Sequence, residues 1–167
     1  KKLESAGSRM FFVLGEHDIS RMKDVPFSLL LGEMGFATYI GDGQPHEFEG
    51  ITFIGFNKHR RSEIEALREK LSNLKQNAGK NILVLHQGLI EFHEYAGEMT
   101  ASDLPAWFDY YAMGHLHDPG TKKFTGLKGT VSYAGATDAS WGFNIVDLSV
   151  EGALVEPVNL QSARKSF

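Results

Sequence analysis

Three short apolar runs of this 167-residue chain each end in a loop of glycine and histidine. Residues 11–14 run into Gly15-Glu16-His17-Asp18, residues 82–85 into His86-Gln87-Gly88, and residues 110–113 into Gly114-His115-Leu116-His117. An apolar run of about four to eight residues is typical of a buried strand. Ligands bind where the carboxyl ends of parallel strands meet. We therefore expect the three loops to converge on one site.

The other patterns predict one α/β sandwich domain. Besides the three runs, strands are predicted at 36–40, 51–56, 122–125, 130–133, 143–148 and 153–158, and helices at 26–34 and after Ser62. Ser62 and Glu65 form an S-x-x-E capping box, with a helix end marked by Asn77 and Gly79. Residues 41–45 are rich in turn formers and predict a connection between two paired strands. The second half of the domain is expected to be mostly antiparallel.

Composition excludes several classes of protein. Hydrophobic residues make up 42% and charged residues 23% of the chain, which excludes a disordered chain. There is no cysteine, so a disulfide scaffold is excluded and a reducing, cytoplasmic location is expected. The net charge of −4 gives no overall basic footprint for nucleic acid, although a local patch could still follow phosphates.

The histidine loops suggest a metal site. Imidazole is the commonest neutral metal ligand, and Glu16, Asp18 and Asp118 add oxygen donors. This mixture suits Mn, Fe or Zn, and a metal-bound water would hydrolyse the substrate. The alternative is that each histidine is an ordinary buried or loop residue. Four histidines in three equivalent places favour the shared site.

The residue types and spacing in these loops resemble those of a known family. Gly15-Glu16-His17-Asp18 resembles the G-N-H-[DE] motif of calcineurin-like metallophosphoesterases, and a lone-histidine loop and a G-H-x-H loop follow in the right order. Three stretches, at 83–88, 110–117 and 131–136, resemble the archaeal form of the meiotic-recombination-eleven nuclease of DNA double-strand-break repair, called SbcD in bacteria. The resemblance covers residues 8 to about 150. It implies a metallophosphoesterase-like β-sandwich flanked by helices.

The resemblance also implies roles for individual residues. Glu16, His86 and His115 would bind the second metal ion, and His117 would bind the first. His17 would not be a ligand but a catalytic general acid near the scissile phosphate. A complete site would hold two Mn²⁺ ions about 4 Å apart, with Zn or Fe as alternatives, for in-line hydrolysis of a phosphodiester.

Two departures from the family pattern qualify these roles. Glu16 stands where the family has asparagine. The D-x-H and G-D-x-x-D motifs that open the family do not occur before Gly15. We therefore expect residues 1–158 to be the C-terminal part of a nuclease catalytic domain that lacks two N-terminal strand-helix units, and 159–167 to begin a linker or tail. Such a chain would hold at most one metal ion and be nearly inactive alone.

Two basic segments are candidate DNA contacts. Arg60 and Arg61 belong to the run Lys58-His59-Arg60-Arg61, and Lys122 and Lys123 follow the G-H-x-H loop. Solvated basic turns are the alternative for both segments.

The family implies a manganese-dependent exonuclease and endonuclease that processes break ends, with DNA, a Rad-fifty-type ABC ATPase and a second copy of itself as partners. Two alternative functions stay open: another metallophosphoesterase, such as a phosphatase or small-molecule phosphodiesterase, and an inactive scaffold fragment.

Overall fold

The computed structural model describes residues 7–19, 26–136, 142–149 and 151–160. Its strands, in chain order, are β1 (Phe11–Phe12), β2 (Thr38–Tyr39), β3 (Asp42–Phe48), β4 (Ile51–Phe56), β5 (Lys80–His86), β6 (Tyr110–Gly114), β7 (Gly120–Lys122), β8 (Thr130–Tyr133), β9 (Gly142–Asp147) and β10 (Leu154–Asn159). The helices are α1 (Glu16–Ile19), α2 (Phe27–Glu33) and α3 (Ile64–Ser72), with single 3-10 turns at Arg61–Glu63 and Ala101–Asp103.

A six-stranded mixed sheet forms the centre of the domain, in the order β3-β4-β5-β6-β8-β7. Its four inner strands are parallel to one another, and the edge strands β3 and β7 are antiparallel to their neighbours. Two smaller sheets complete the described strands: β1 pairs with β2, and β9 pairs with β10. The parallel centre brings the carboxyl ends of β5 and β6 to one edge.

Side chains alternate between the two faces of the central sheet. On one face Ile54, Leu83 and Tyr111 form a buried core with α3 and the loop after β5. On the other face Phe53, Ile82 and Tyr110 pack near the β9-β10 ribbon. The Phe11 ring of β1 stacks on Phe53 with centroids 4.4 Å apart, so β1 covers the same face. The central sheet is therefore packed on both sides, as a sandwich requires.

The long helix is shorter than the sequence predicts and is capped differently. The Glu63 carboxylate accepts from the backbone N–H of Arg60 at 2.8 Å, so the turn that starts the helix lies two residues before the predicted box at Ser62 and Glu65. The predicted box is wrong. The helix ends at Ser72, not near Asn77 and Gly79. Carbonyls of those two residues accept from the Asn81 side chain and belong to the loop that leads into β5.

The predicted turn at 41–45 is also wrong, because strand β3 begins at Asp42. A bulge between Asp42 and Pro45 accommodates the turn formers, and Gly43 there has a φ of 77° with the Phe56 ring against its Cα. Proline is tolerated because β3 is an edge strand. Consequently β4 pairs with β3, and β2 pairs with β1 instead.

The second half is less antiparallel than expected. Segment 115–129 returns the chain so that β8 lies parallel to β6. Among the strands described in this half, only the β7-β8 and β9-β10 pairs are antiparallel. The predicted tail at 159–167 lies outside the described residues from 161 onward, and Asn159 still belongs to β10. Among the helices of the described ranges, none is long and apolar enough to cross a membrane.

Candidate active site

The three histidine loops meet at one edge of the fold, as their pattern predicts. A cavity of about 180 Å³ lies between them. Its lining consists of Gly15, Glu16, His17, Asp18, His86, His115 and His117. The structure therefore brings together all five predicted catalytic and metal-binding side chains, from the loops after β1, β5 and β6.

His86 is the most enclosed of these side chains and ends strand β5. Its ring lies between two glycines: a Cβ atom on Gly15 would stand 2.8 Å from His86 Cε1, and one on Gly114 would stand 2.9 Å from His86 Nδ1. Burial, followed by the charges of His115 and Lys58, lowers the pKa of His86 from 6.5 to about 4. The imidazole is thus neutral at pH 7, which is the state that binds metal ions.

His115 and Glu16 face each other across the cavity. The distance from His115 Nδ1 to Glu16 Oε2 is 3.5 Å, and the rings of His115 and His86 lie 5.6 Å apart. His115 has a φ of 92°, a backbone conformation that costs energy for a residue with a Cβ atom. Burial and the charge of Lys58 lower the pKa of His115. The strained backbone of His115 at the end of β6 turns its imidazole towards the loops of β1 and β5.

Asp18, His17 and His117 also line the cavity, and they differ in hydrogen bonding and in exposure. Both carboxylate oxygens of Asp18 already accept hydrogen bonds, from the Gly15 N–H at 2.9 Å and from the Ser28 hydroxyl at 2.8 Å. Asp18 therefore shapes the loop. His17 and His117 are exposed at the mouth of the cavity, where a substrate could reach them.

The donor set has the chemistry of a transition-metal site but is incomplete. Imidazoles and a carboxylate around one cavity suit Mn²⁺, Fe²⁺ or Zn²⁺. Within the described ranges, however, no group of three His, Cys, Asp or Glu side chains is close enough together to hold an ion. His115 and Glu16 form a pair of donors 3.5 Å apart. Glu16, His86, His115 and His117 are the residues around this cavity whose side chains could act as ligands to such an ion.

A larger cleft of about 830 Å³ opens beside the cavity and shares Glu16 with it. Its lining includes the predicted DNA contacts Arg60 and Arg61, both exposed, together with His59 of the same basic run and Lys70, which the sequence did not single out. Lys70 lies on the exposed side of α3, one turn beyond Ala66 of the same lining, so helical spacing could have indicated it.

The other two predicted DNA contacts lie elsewhere. Lys122 ends the edge strand β7, its ammonium lies 4.7 Å from the centroid of the Phe92 ring, and it donates to the Glu91 carbonyl. Phe92 borders a second cleft of about 350 Å³ that also contains His115 and His117. Lys123 lies beside Gly152, towards the start of β8. The structure brings Lys122 near the site and Lys123 away from it.

No family model matches the chain, but several archaeal proteins of one name are similar to it. The DNA double-strand break repair protein Mre11 of Methanococcus maripaludis is 31% identical over 144 residues, covering 82% of this chain and 39% of that protein. Mre11 of Methanocaldococcus jannaschii is 31% identical over 160 residues, covering 91% and 42%. Mre11 of Sulfurisphaera tokodaii is 29% identical over 185 residues, covering 100% and 47%. The chain spans less than half the length of these relatives.

A solved crystal structure shares the fold. It matches with a TM-score of 0.59 at 14% sequence identity and covers 92% of this chain and 67% of its own. The predicted α/β fold is thereby confirmed. The histidine loops follow one another along the chain in the order of the family motifs, and the archaeal relatives match most of the chain. The chain therefore belongs to the Mre11 family of DNA double-strand break repair proteins.

Proposed function

We propose that this chain is the C-terminal part of the catalytic domain of a metal-dependent DNA nuclease that processes the ends of double-strand breaks. The observation that carries the proposal is the convergence of three histidine loops around one cavity in a member of the Mre11 family. Residues 1–158 are assigned to the catalytic domain. The ligands that the site lacks would come from a longer polypeptide.

Within that site, Glu16, His86 and His115 would hold one Mn²⁺ ion, and His117 would contribute to a second. When bound, the two ions stabilise charge on the phosphate and activate the attacking water. Neutral His86 accepts a metal without first losing a proton, because burial keeps its pKa near 4. Glu16 replaces the neutral family asparagine with a carboxylate, which adds a negative charge 3.5 Å from His115.

His17 would act on the substrate and not on the metal. It stands exposed on α1 at the cavity mouth, beside Glu16 and before Asp18. The Asp18 carboxylate accepts a hydrogen bond from the Gly15 N–H. This contact holds the start of the helix, and with it the backbone of His17, in place. From there His17 can donate a proton to the leaving oxygen of a phosphodiester.

DNA would enter through the cleft that contains Arg60 and Arg61. Within the described part of the chain, neither arginine pairs with a carboxylate, and Arg61 donates only to the Gly97 carbonyl at 3.3 Å. Free guanidinium groups next to a hydrolytic cavity suit the phosphate backbone on either side of the scissile bond. Lys70 adds a third cation to the cleft. Lys122, which lies against Phe92, is a candidate DNA contact beside the second cleft. Lys123 is the weakest of these candidate contacts.

The partners of the whole protein are a Rad-fifty-type ABC ATPase and a second copy of the chain. The ATPase is proposed on family resemblance. For the homodimer, α2 offers a surface: none of its described residues is buried, and Phe27, Leu30 and Met34 nearby are 77%, 44% and 64% exposed. Apolar side chains exposed in one helical turn after another are typical of an interface.

A paired assay tests the nuclease proposal against its alternatives. The chain is incubated with Mn²⁺ and either a duplex DNA oligonucleotide or bis-p-nitrophenyl phosphate, and both binding and hydrolysis are measured. We expect DNA binding that weakens steeply with salt, and only trace hydrolysis. Hydrolysis of the small phosphodiester without DNA binding would indicate a different metallophosphoesterase. Failure to bind either Mn²⁺ or DNA would favour a scaffold.

A further inference from the structure

A buried ion pair lines the larger cleft, which shares Glu16 with the candidate metal cavity. The Lys58 ammonium contacts both carboxylate oxygens of Glu98, and the two side chains are only 4% and 13% exposed. The sequence groups Lys58 with the neighbouring arginines as a phosphate contact. Its burial and its partner remove it from that group.

The pair belongs to a larger network through Gln87. This side chain is fully buried, donates from Nε2 to Glu98 Oε2 at 3.0 Å, and accepts from the backbone N–H of His59 at 2.7 Å. Because His59 follows Lys58 directly, the hydrogen bonds form a closed ring. This Lys58–Glu98–Gln87 network joins the loop after β4 to the start and the middle of the loop after β5.

The same network reaches the other loops of the site. The Lys58 N–H donates to the Leu14 carbonyl at 2.9 Å, immediately before Gly15 and Glu16. On the far side, Gly88 follows Gln87, and a Cβ atom on Gly88 would stand 3.2 Å from the His115 ring. Each loop that contributes a candidate metal ligand is thus in contact with the network or one residue away from it.

Stability alone does not explain an ion pair at this place. Removing two charges from water is costly, and a neutral pair of similar size is often equally stable. A charged network with directional hydrogen bonds does, however, fix the spacing of the loops that it joins. Neither Lys58 nor Glu98 is a candidate metal ligand.

We propose that Lys58, Glu98 and Gln87 are positioning residues that hold together the three loops carrying Glu16, His86 and His115, at the cavity where a divalent transition-metal ion would bind. This inference rests on the proposed function, because it concerns the metal site of that function. It adds three residues that neither the histidine motifs nor the family resemblance assigns.

The test compares Mn²⁺ binding by the wild-type chain with binding by a neutral double variant, Lys58→Met with Glu98→Gln. Glutamine at 98 keeps an acceptor for Gln87, and methionine keeps the length of the lysine stem. We expect the dissociation constant for Mn²⁺ to rise at least about tenfold, as for other groups that orient metal ligands. The thermal midpoint should change little. The single variant Lys58→Arg keeps the charge and should retain most of the wild-type Mn²⁺ affinity.

The matched control is a second ion pair, Arg68 with Asp103, which is 3.0 Å long and lies outside both clefts and the cavity. Arg68→Met with Asp103→Asn should leave Mn²⁺ affinity unchanged. A neutral double variant that binds Mn²⁺ like the wild type would overturn the inference alone. A wild-type chain that binds no Mn²⁺ would overturn both the inference and the metal site of the proposed function.

Amide hydrogen exchange in the metal-free wild type tests the network without any substitution. The N–H groups of Lys58, His59 and Glu98 donate to Leu14, Gln87 and Gly88 respectively, so they should exchange at least about a hundredfold more slowly than unprotected amides. Unprotected exchange at these three amides would contradict the inference, even if the double variant fails to fold.

Discussion

Acidification is expected to destabilise the metal-free chain through His86. Burial at the end of β5, and then the charges of His115 and Lys58, lower the pKa of its imidazole from 6.5 to about 4. Below pH 6.5 the unfolded chain binds a proton that the folded chain takes up only near pH 4. The free energy of unfolding therefore falls as the pH drops through this window. At about 1.4 kcal/mol per pH unit, the full effect is about 3 kcal/mol.

Urea unfolding in EDTA measures this effect, with the wild type compared with His86→Asn at pH values of about 7, 5.5 and 4.5. The variant has no imidazole to protonate, so the wild type should lose about 2 to 3 kcal/mol more than the variant between the highest and the lowest pH. The exposed His93 provides a control substitution, His93→Asn. Losses that agree within about 0.5 kcal/mol in wild type and His86→Asn would refute the reasoning.

Three further predictions concern the site and the core. Gly15→Ala places a Cβ atom 2.8 Å from the His86 ring, so Mn²⁺ affinity measured by calorimetry should fall at least about tenfold, and unchanged affinity would contradict the packing. Arg60→Glu with Arg61→Glu should weaken DNA binding and reduce the slope of log affinity against log salt by about 2, and an unchanged slope would remove these residues from the DNA contact. Asp109→Asn should lower the free energy of unfolding by about 2 to 3 kcal/mol, because the 2% exposed carboxylate pairs with Lys128 at 2.8 Å. A loss below about 0.5 kcal/mol would contradict that last assignment.

The convergence of the histidine loops was more predictable than the details of the fold. Histidines that follow apolar runs are a local signal, and parallel pairing of β5 with β6 then brings His86 and His115 to one edge. The glycines beside them were readable for the same reason, since Gly15 and Gly114 stand next to the histidines in the chain and also in space.

Features that depend on tertiary contacts escaped the sequence. Gly43 and Pro45 indicate a turn in isolation, but the Phe56 ring and the edge position of β3 turn the same residues into a bulged strand. Lys58 looks like its exposed arginine neighbours until Glu98, 40 residues away in the chain, covers it. Lys70 belongs to the cleft only because α3 packs beside the loop after β4.

The stoichiometry of Mn²⁺ binding tests the central claim most directly. Calorimetry and elemental analysis of the wild-type chain are run beside His86→Ala and His117→Ala. The account predicts one weakly bound ion per chain, which is lost in His86→Ala and retained in His117→Ala. Two tightly bound ions would show that this chain alone supplies a complete site, and no bound ion under any condition would contradict the metal centre altogether.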